Sequence, residues 1–285
     1  MKNKDYIKNS KILKYYICKM CLLAKSGHPS SSLSCSDIIS TLYFSIMEED
    51  DKFILSKGHA APALYSALII NNSISSDFIN KLREIDSPLQ GHPDVSRLPE
   101  VNITSGALGQ GLSFSIGISL SKKIKKEKGH IYCVIGDGES QEGQIWEAAM
   151  FAGNNQLNNL IVFLDNNGGQ SDGKVNEIMP LNPLKEKWES FGWEVTEING
   201  HNHDEIEKSI IAHKKRLNLK PLIIISNTKK GYITENLTIL DGMHGGSMTE
   251  EILDQVKEEH SIFHSQKCSK IIHSDQFRHL FTKKM

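Results

Sequence analysis

Two short apolar runs, each broken by a polar turn thirty-odd residues from the other, constrain this chain more than any other feature. Ile131-Tyr132-Cys133-Val134-Ile135 empties into Gly136-Asp137-Gly138-Glu139, and Leu160 to Leu164 empties into Asp165-Asn166-Asn167-Gly168. A helix-like segment lies between them. The spacing from Asp137 to Asn167 is that of a βαβ unit, whose two strands run parallel and deliver their following loops to one edge of a sheet. Asp137 offers a hard carboxylate oxygen and Asn167 an amide oxygen. Glycines at 136, 138, 168 and 169 let the backbone come close. That set suits Mg²⁺ on a diphosphate, because Mg²⁺ takes one or two protein ligands and completes its shell with phosphate oxygens and water.

The rest of the chain repeats the alternation of helix and strand. Leu13, Ile17, Met20 and Leu23/Ala24 mark a helix over 5–24, stopped by Ser26-Gly27-His28-Pro29. Pro29 forces His28 out of helical geometry, so an extended, exposed loop is expected there. Ser34-x-x-Asp37 reads as a helix-starting box. Phe53-Ile54-Leu55 reads as a strand ending in Ser56-Lys57-Gly58-His59-Ala60, with Pro62 in the first turn of the next helix. A polar helix is expected over 77–85, before Gly91-His92-Pro93. From Thr104 a long helix carries the row Leu108, Leu112, Ile116, Leu120 and Ile124. Its glycines at 109, 111 and 117 cost about 1 kcal/mol each in a helix unless something approaches the backbone. Close helix packing and a cofactor ring against Leu108 are equal readings of them. Gly129 is expected to end that helix. Trp193 to Ile198 alternates as a strand, Ile206, Ile210 and Leu217 mark a helix, and Leu222 to Ser226 is β-branched enough for a strand buried on both faces. Asn227-Thr228-Lys229-Lys230-Gly231 then returns to the ligand edge. Asp241-Gly242-Met243-His244-Gly245-Gly246 brings a fourth loop histidine, and Thr249 starts a last helix. The expected architecture is α/β, a doubly wound, mainly parallel sheet with helices on both faces. It occupies 1–260, with a polar C-terminal tail over 261–285.

With a net charge of −1 and 39% hydrophobic residues, the chain gives no reason to expect nucleic acid or a membrane as partner. No secretory segment is recognised, so a cytoplasmic location is expected. Cys18-Lys19-Met20-Cys21 has redox or zinc spacing, but without a second such pair the thiols read as buried helix residues. No GxGxxG follows a strand, which disfavours a dinucleotide.

Gly136-Asp137-Gly138 followed by Asn166-Asn167 resembles the thiamine diphosphate signature. Ser26-Gly27-His28-Pro29, Ser56-Lys57-Gly58-His59-Ala60, Gly91-His92-Pro93, Ser105-Gly106-Ala107-Leu108-Gly109-Gln110-Gly111 and Met243-His244-Gly245 extend the resemblance to the amino-terminal part of transketolase, from about His28 to Glu251. The resemblance implies the diphosphate-binding domain of the thiamine diphosphate fold and two cofactors, thiamine diphosphate and Mg²⁺. Asp137, Asn167 and the carbonyl of Gly169 would hold the metal. Gly136, Gly138 and Gly106 would frame the cofactor, with His59 and His244 at the diphosphate and reacting carbon and Leu108 on the thiazolium. His28, His92 and His244 would be catalytic, His28 at the substrate hydroxyls and His92 at the donor C1 hydroxyl. Glu142 would lie at the subunit contact. Two departures stand out. Ser30-Ser31 replaces the usual glycine pair after His-Pro, and Gly168-Gly169-Gln170-Ser171 replaces a more apolar stretch.

A full-length transketolase carries a pyrimidine-binding domain after this one, with the glutamate that activates the cofactor and much of the phosphate-binding arginine set. The expectation is therefore the amino-terminal subunit of a split transketolase. Its partner is a C-terminal subunit carrying the pyrimidine-binding domain, in a heterotetramer. It would move a two-carbon ketol unit between a ketose and an aldose, sugars or sugar phosphates. The alternatives are a 2-oxo acid dehydrogenase or deoxyxylulose phosphate synthase type of subunit, or a non-catalytic cofactor-binding half.

Overall fold

The structure is a computed structural model and describes residues 5–216, 218–240 and 248–260. In chain order it runs α1 (Asp5–Ala24), α2 (Pro29–Ser34), α3 (Ser36–Thr41) with a π-helical turn after it, β1 (Lys52–Leu55), α4 (Ala61–Ile70), α5 (Gln110–Lys125), β2 (Ile131–Gly136), α6 (Gly143–Asn154) and β3 (Leu160–Asn166). The small hairpin of β4 (Gly169–Gln170) and β5 (Gly173–Lys174) follows, then α7 (Val175–Ile178), α8 (Leu184–Ser190), β6 (Glu194–Asn199), α9 (His203–Lys215) and β7 (Leu222–Asn227). A second small hairpin, β8 (Tyr232–Thr234) with β9 (Leu237–Thr238), precedes α10 (Glu250–His260).

Five strands form one sheet in the order β1-β2-β3-β7-β6, every neighbour parallel. Alternate side chains divide the core in two, as a pleated strand requires. Tyr132, Val134, Ile161, Phe163, Leu222 and Ile224 face a layer containing Leu13, Ile17, Ile38 and Leu64, together with Ile206 and Ile210 of α9. Ile131, Cys133, Ile135, Val162, Leu164, Ile223 and Ile225 face α5, α6 and α8 through Leu112, Ile116, Ile145, Ala149 and Trp188. Each fully buried Leu or Ile stabilises by about 1.5–3 kcal/mol. A central strand buried on both faces is filled by such residues, hence the unbroken apolar run of β7.

All five expected strands form, and with them the doubly wound class. The local departures have identifiable causes. Leu23 is 47% exposed and does not join the buried face of α1. Ser34 does not start a helix; it ends α2, and its hydroxyl bonds Asp165 at 2.5 Å. The polar helix expected over 77–85 is a 3₁₀ turn, Ser76–Asn80, followed by turns in which Arg83 and Asp86 take left-handed φ of 60° and 63°. Helix α5 stops before Gly129, because Lys126 itself takes the left-handed cap with φ 55°. Ile124, expected in the buried row, is 71% exposed. Gly111 is packed so closely that a Cβ would lie 2.4 Å from the Ser56 hydroxyl, whereas Gly117 has nothing within 4 Å. Gly109, where a Cβ would lie 2.8 Å from Gln144 Nε2, is close-packed like Gly111, and Gly117 is not.

Cys18, Cys21, Cys35 and Cys133 are buried free thiols, and burial pushes Cys21 and Cys35 up to about 12. Cys18 and Cys21 are thus core residues, as expected. Among the described residues no helix is long and apolar enough to cross a membrane. Residues 261–285 and Leu217 lie outside the described residues.

Helix α6 approaches the turn before β6 so closely that a Cβ on Gly153 would fall 1.8 Å from the Phe191 carbonyl oxygen. Gly153→Ala is therefore expected to destabilise the chain by about 1–3 kcal/mol, the usual cost of overpacking. Urea unfolding followed by circular dichroism measures it, and an unchanged midpoint would contradict the approach.

Candidate cofactor and sugar site

β2 and β3 are parallel, with Gly136 opposite Asp165, so the loops that follow them start side by side. They are stitched together. The Gly168 N–H donates to Asp137 Oδ2 at 2.6 Å, the Gly169 N–H to Asn167 Oδ1 at 3.1 Å, and the Asn167 amide to Asp165 Oδ2 at 3.1 Å. Gly138 keeps the loop tight, since a Cβ there would lie 2.8 Å from that of Gln170. Asp137 and Asn167 thus meet at the carboxyl edge of the sheet. Burial, then the charge of Asp165, push the Asp137 carboxyl up to about 6.

Two ammonium groups face this turn pair. Burial opposes the charge of Lys57, but Asp165, against which its Nζ is paired, together with Cys35 and Asp137 holds it charged. Lys230 lies against Gly169, where a Cβ would be 3.0 Å from Nζ; burial and the charge of Lys57 lower it. One carboxylate, one amide oxygen and nearby backbone form a hard-oxygen donor set, and Lys230 beside them complements a diphosphate, while Lys57 is taken up by Asp165. Among the described residues no three His, Cys, Asp or Glu gather as an all-protein metal cage. The residues present fit Mg²⁺ shared with phosphate oxygens.

The histidine loops converge beside this end. His28 caps α2 and is half-buried, not exposed as expected, and its ring meets that of His59 edge-on at 5.4 Å. The Gly106 backbone lies under the His92 ring, leaving a Cβ only 3.0 Å from Cγ, and Gly58 is equally tight on Gly106 at 2.7 Å from its N. Burial lowers the pKa of His28, helped by the charges of Arg83, His92, Lys230 and Lys57, and burial with Arg83 lowers that of His92. Both imidazoles are held toward the neutral form. Leu108 is half-buried and its carbonyl accepts from Gln144 Nε2 at 3.0 Å. Glu142, exposed, packs its Cβ beside Gly109. His244 lies outside the described residues.

Sequence reasoning passed over the groups that hold these loops. Glu139, buried, accepts from the Gly109 N–H at 2.8 Å, the Gly136 N–H at 2.9 Å and the Ser56 hydroxyl, joining three loops with one carboxylate. Asp165 does the same for Ser34, Lys57, Asn167 and Thr228. The available signal was an acid directly after an apolar strand, a place where a charge is buried only if it is paired.

Residues 4–279 match the family model described as transketolase, thiamine diphosphate binding domain. A 6-deoxy-6-sulfo-D-fructose transketolase subunit of Clostridium sp. (strain MSTE9) is 42% identical over 238 residues, covering 79% of this chain and 85% of the relative. An apulose-4-phosphate transketolase subunit of Phocaeicola vulgatus is 36% identical over 250 residues, covering 82% and 86%. The crystal structure of Campylobacter jejuni transketolase superposes with a TM-score of 0.84 at 31% identity, covering 92% of this chain but 43% of that one. The chain thus spans less than half of that transketolase, and most of the two subunits. With the turn pair, the histidine loops and these likenesses together, the chain belongs to the transketolase family, as its thiamine diphosphate-binding domain.

Proposed function

We propose that this chain binds thiamine diphosphate through Mg²⁺ and, with a second polypeptide, transfers a two-carbon ketol unit from an anionic ketose to an aldose. The observation that carries the reading is the junction of the Asp137 and Asn167 turns at the Gly168 N–H, under Lys57 and Lys230 and beside His28 and His59. Asp137, Asn167 and the Gly169 carbonyl would hold the metal. Lys230 would neutralise diphosphate oxygens, and Gly136, Gly138 and Gly106 leave room for the cofactor. When bound, thiamine diphosphate supplies the electron sink for the two-carbon unit.

The chain's own residues do the rest. His28 and His92, kept neutral, can accept a hydroxyl proton from the sugar and return it. His59 orients His28 by edge-on contact, and His244 joins them in the proposed set. Leu108 presents an apolar side chain to the cofactor ring. Glu142, exposed beside Gly109, faces the proposed partner, which carries the pyrimidine-binding domain, in a heterotetramer. The Clostridium and Phocaeicola subunits are named for a sulfonated and a phosphorylated sugar. An anionic ketose is accordingly the substrate class to test first, and a cytoplasmic location suits it.

Asp137→Ala is expected to lower affinity for Mg²⁺-thiamine diphosphate at least tenfold by titration calorimetry without lowering the thermal midpoint. Wild-type affinity in that variant would remove Asp137 from the metal. Because burial raises the Asp137 carboxyl to about 6, protons compete with the cation below that pH. Cofactor affinity should be level above pH 7 and fall as pH drops from 6 to 5, while Asp137→Asn loses this dependence. The chain alone, with cofactor and Mg²⁺, should transfer no ketol unit, and adding the second polypeptide should restore transfer in a coupled assay. Turnover by the chain alone would contradict the division of labour.

A further inference from the structure

We propose that Arg83 is a positioning residue that clamps the His28 loop to the His92 loop at the mouth of the site. The proposal rests on the reading of those histidines given above. Arg83 sits in a turn with a left-handed φ of 60°, a conformation that costs a non-glycine residue about 1 kcal/mol or more and persists where its surroundings impose it. Its own N–H is anchored to the Leu89 carbonyl at 2.8 Å, on the chain leading into His92. Its Nη1 reaches back to donate to the Ser26 hydroxyl at 2.7 Å, two residues before His28.

The guanidinium fills the space that glycine leaves open at position 91. A Cβ there would lie 2.8 Å from Nε and 3.0 Å from both Cζ and Nη2. One planar group therefore touches both loops, and Gly91 is the residue type that admits it. Among the described residues Arg83 makes no ion pair, and its charge reaches both imidazoles as well as Cys21 and Tyr65. The other charged or titratable groups facing His28 are Lys57, Lys230, His92 and, in ring contact, His59. Arg83 thereby ties the two loops that carry the imidazoles and adds its charge to the burial that already holds both toward the neutral form.

Position 83 is otherwise unused by the proposed chemistry, and the alternative for a guanidinium here is direct contact with the anionic end of the sugar. Kinetics separate the two. Arg83→Met and Gly91→Ala, each in the reconstituted pair, are expected to lower kcat/KM about tenfold, equally for a phosphorylated and an unphosphorylated ketose donor. The double variant should be no worse than either single one, because both break the same contact. A loss confined to the phosphorylated or sulfonated donor would overturn the clamp in favour of an anion contact, and additive losses would overturn the coupling through Gly91.

A second measurement needs neither partner nor cofactor. In the full chain, the NMR titration midpoints of His28 and His92 should rise toward the ordinary histidine value in Arg83→Met and stay near wild type in Arg83→Lys, which keeps the charge. Unmoved midpoints in Arg83→Met overturn the proposal. Absence of ketol transfer by the wild-type pair would instead refute the proposed function and leave this titration standing.

Discussion

A single buried carboxylate, Asp165, is the interaction on which the carboxyl edge of the sheet depends. It is fully buried; Lys57 is paired to it, and Ser34, Thr228 and Asn167 donate to it. Those partners come from the loop after β1, the end of α2, the loop after β7 and the loop after β3. Removing an ion pair from water is costly, and such pairs contribute little net stability. The return is positional. Four segments distant in sequence are fixed to one point, and the Asn167 turn and the loop carrying His59 acquire a common reference. Burial works against the Asp165 charge, yet Lys57 and the hydrogen bonds hold its pKa below the ordinary carboxylate range.

Asp137, nearby, is the opposite case. Among the described residues it has no ion pair of its own, and its main support is the backbone N–H groups of Gly138 and Gly168. Two neighbouring carboxylates are thereby driven apart in proton affinity by environment alone, the pattern that separates structural from functional acids. Asp165 is charged and saturated with partners. Asp137 is raised, and a divalent cation would relieve it. The backbone N–H groups that now hold Asp137 and the Asn167 oxygen keep both turns in place for such an ion.

Much of this was legible in the sequence because parallel sheets advertise themselves. Strands buried on both faces are unbroken apolar runs, and their loops must fall at one edge, so the meeting of Asp137 with Asn167 followed from spacing and motif. What could not be read was tertiary in origin. Ser34 reads locally as a helix cap, but a buried carboxylate 131 residues away takes its hydroxyl. The segment over 77–85 has helical periodicity, yet Arg83 turns left-handed and reaches Ser26 and Gly91, neighbours that only the fold supplies. Glu139 looked like one more residue of a polar turn, and its three donors come from separate loops. Local pattern predicts elements, whereas long-range polar contacts decide where those elements stop.

The hub at Asp165 also bears on how such a chain can drift. Loss of Lys57 would leave a negative charge stranded in the interior, and loss of Asp165 would strand a positive one. Replacing Ser34 or Thr228 by an apolar residue would leave part of the carboxylate without a donor. No single substitution among these positions is free of the others. A change at any one of them is tolerated only with a compensating change at another.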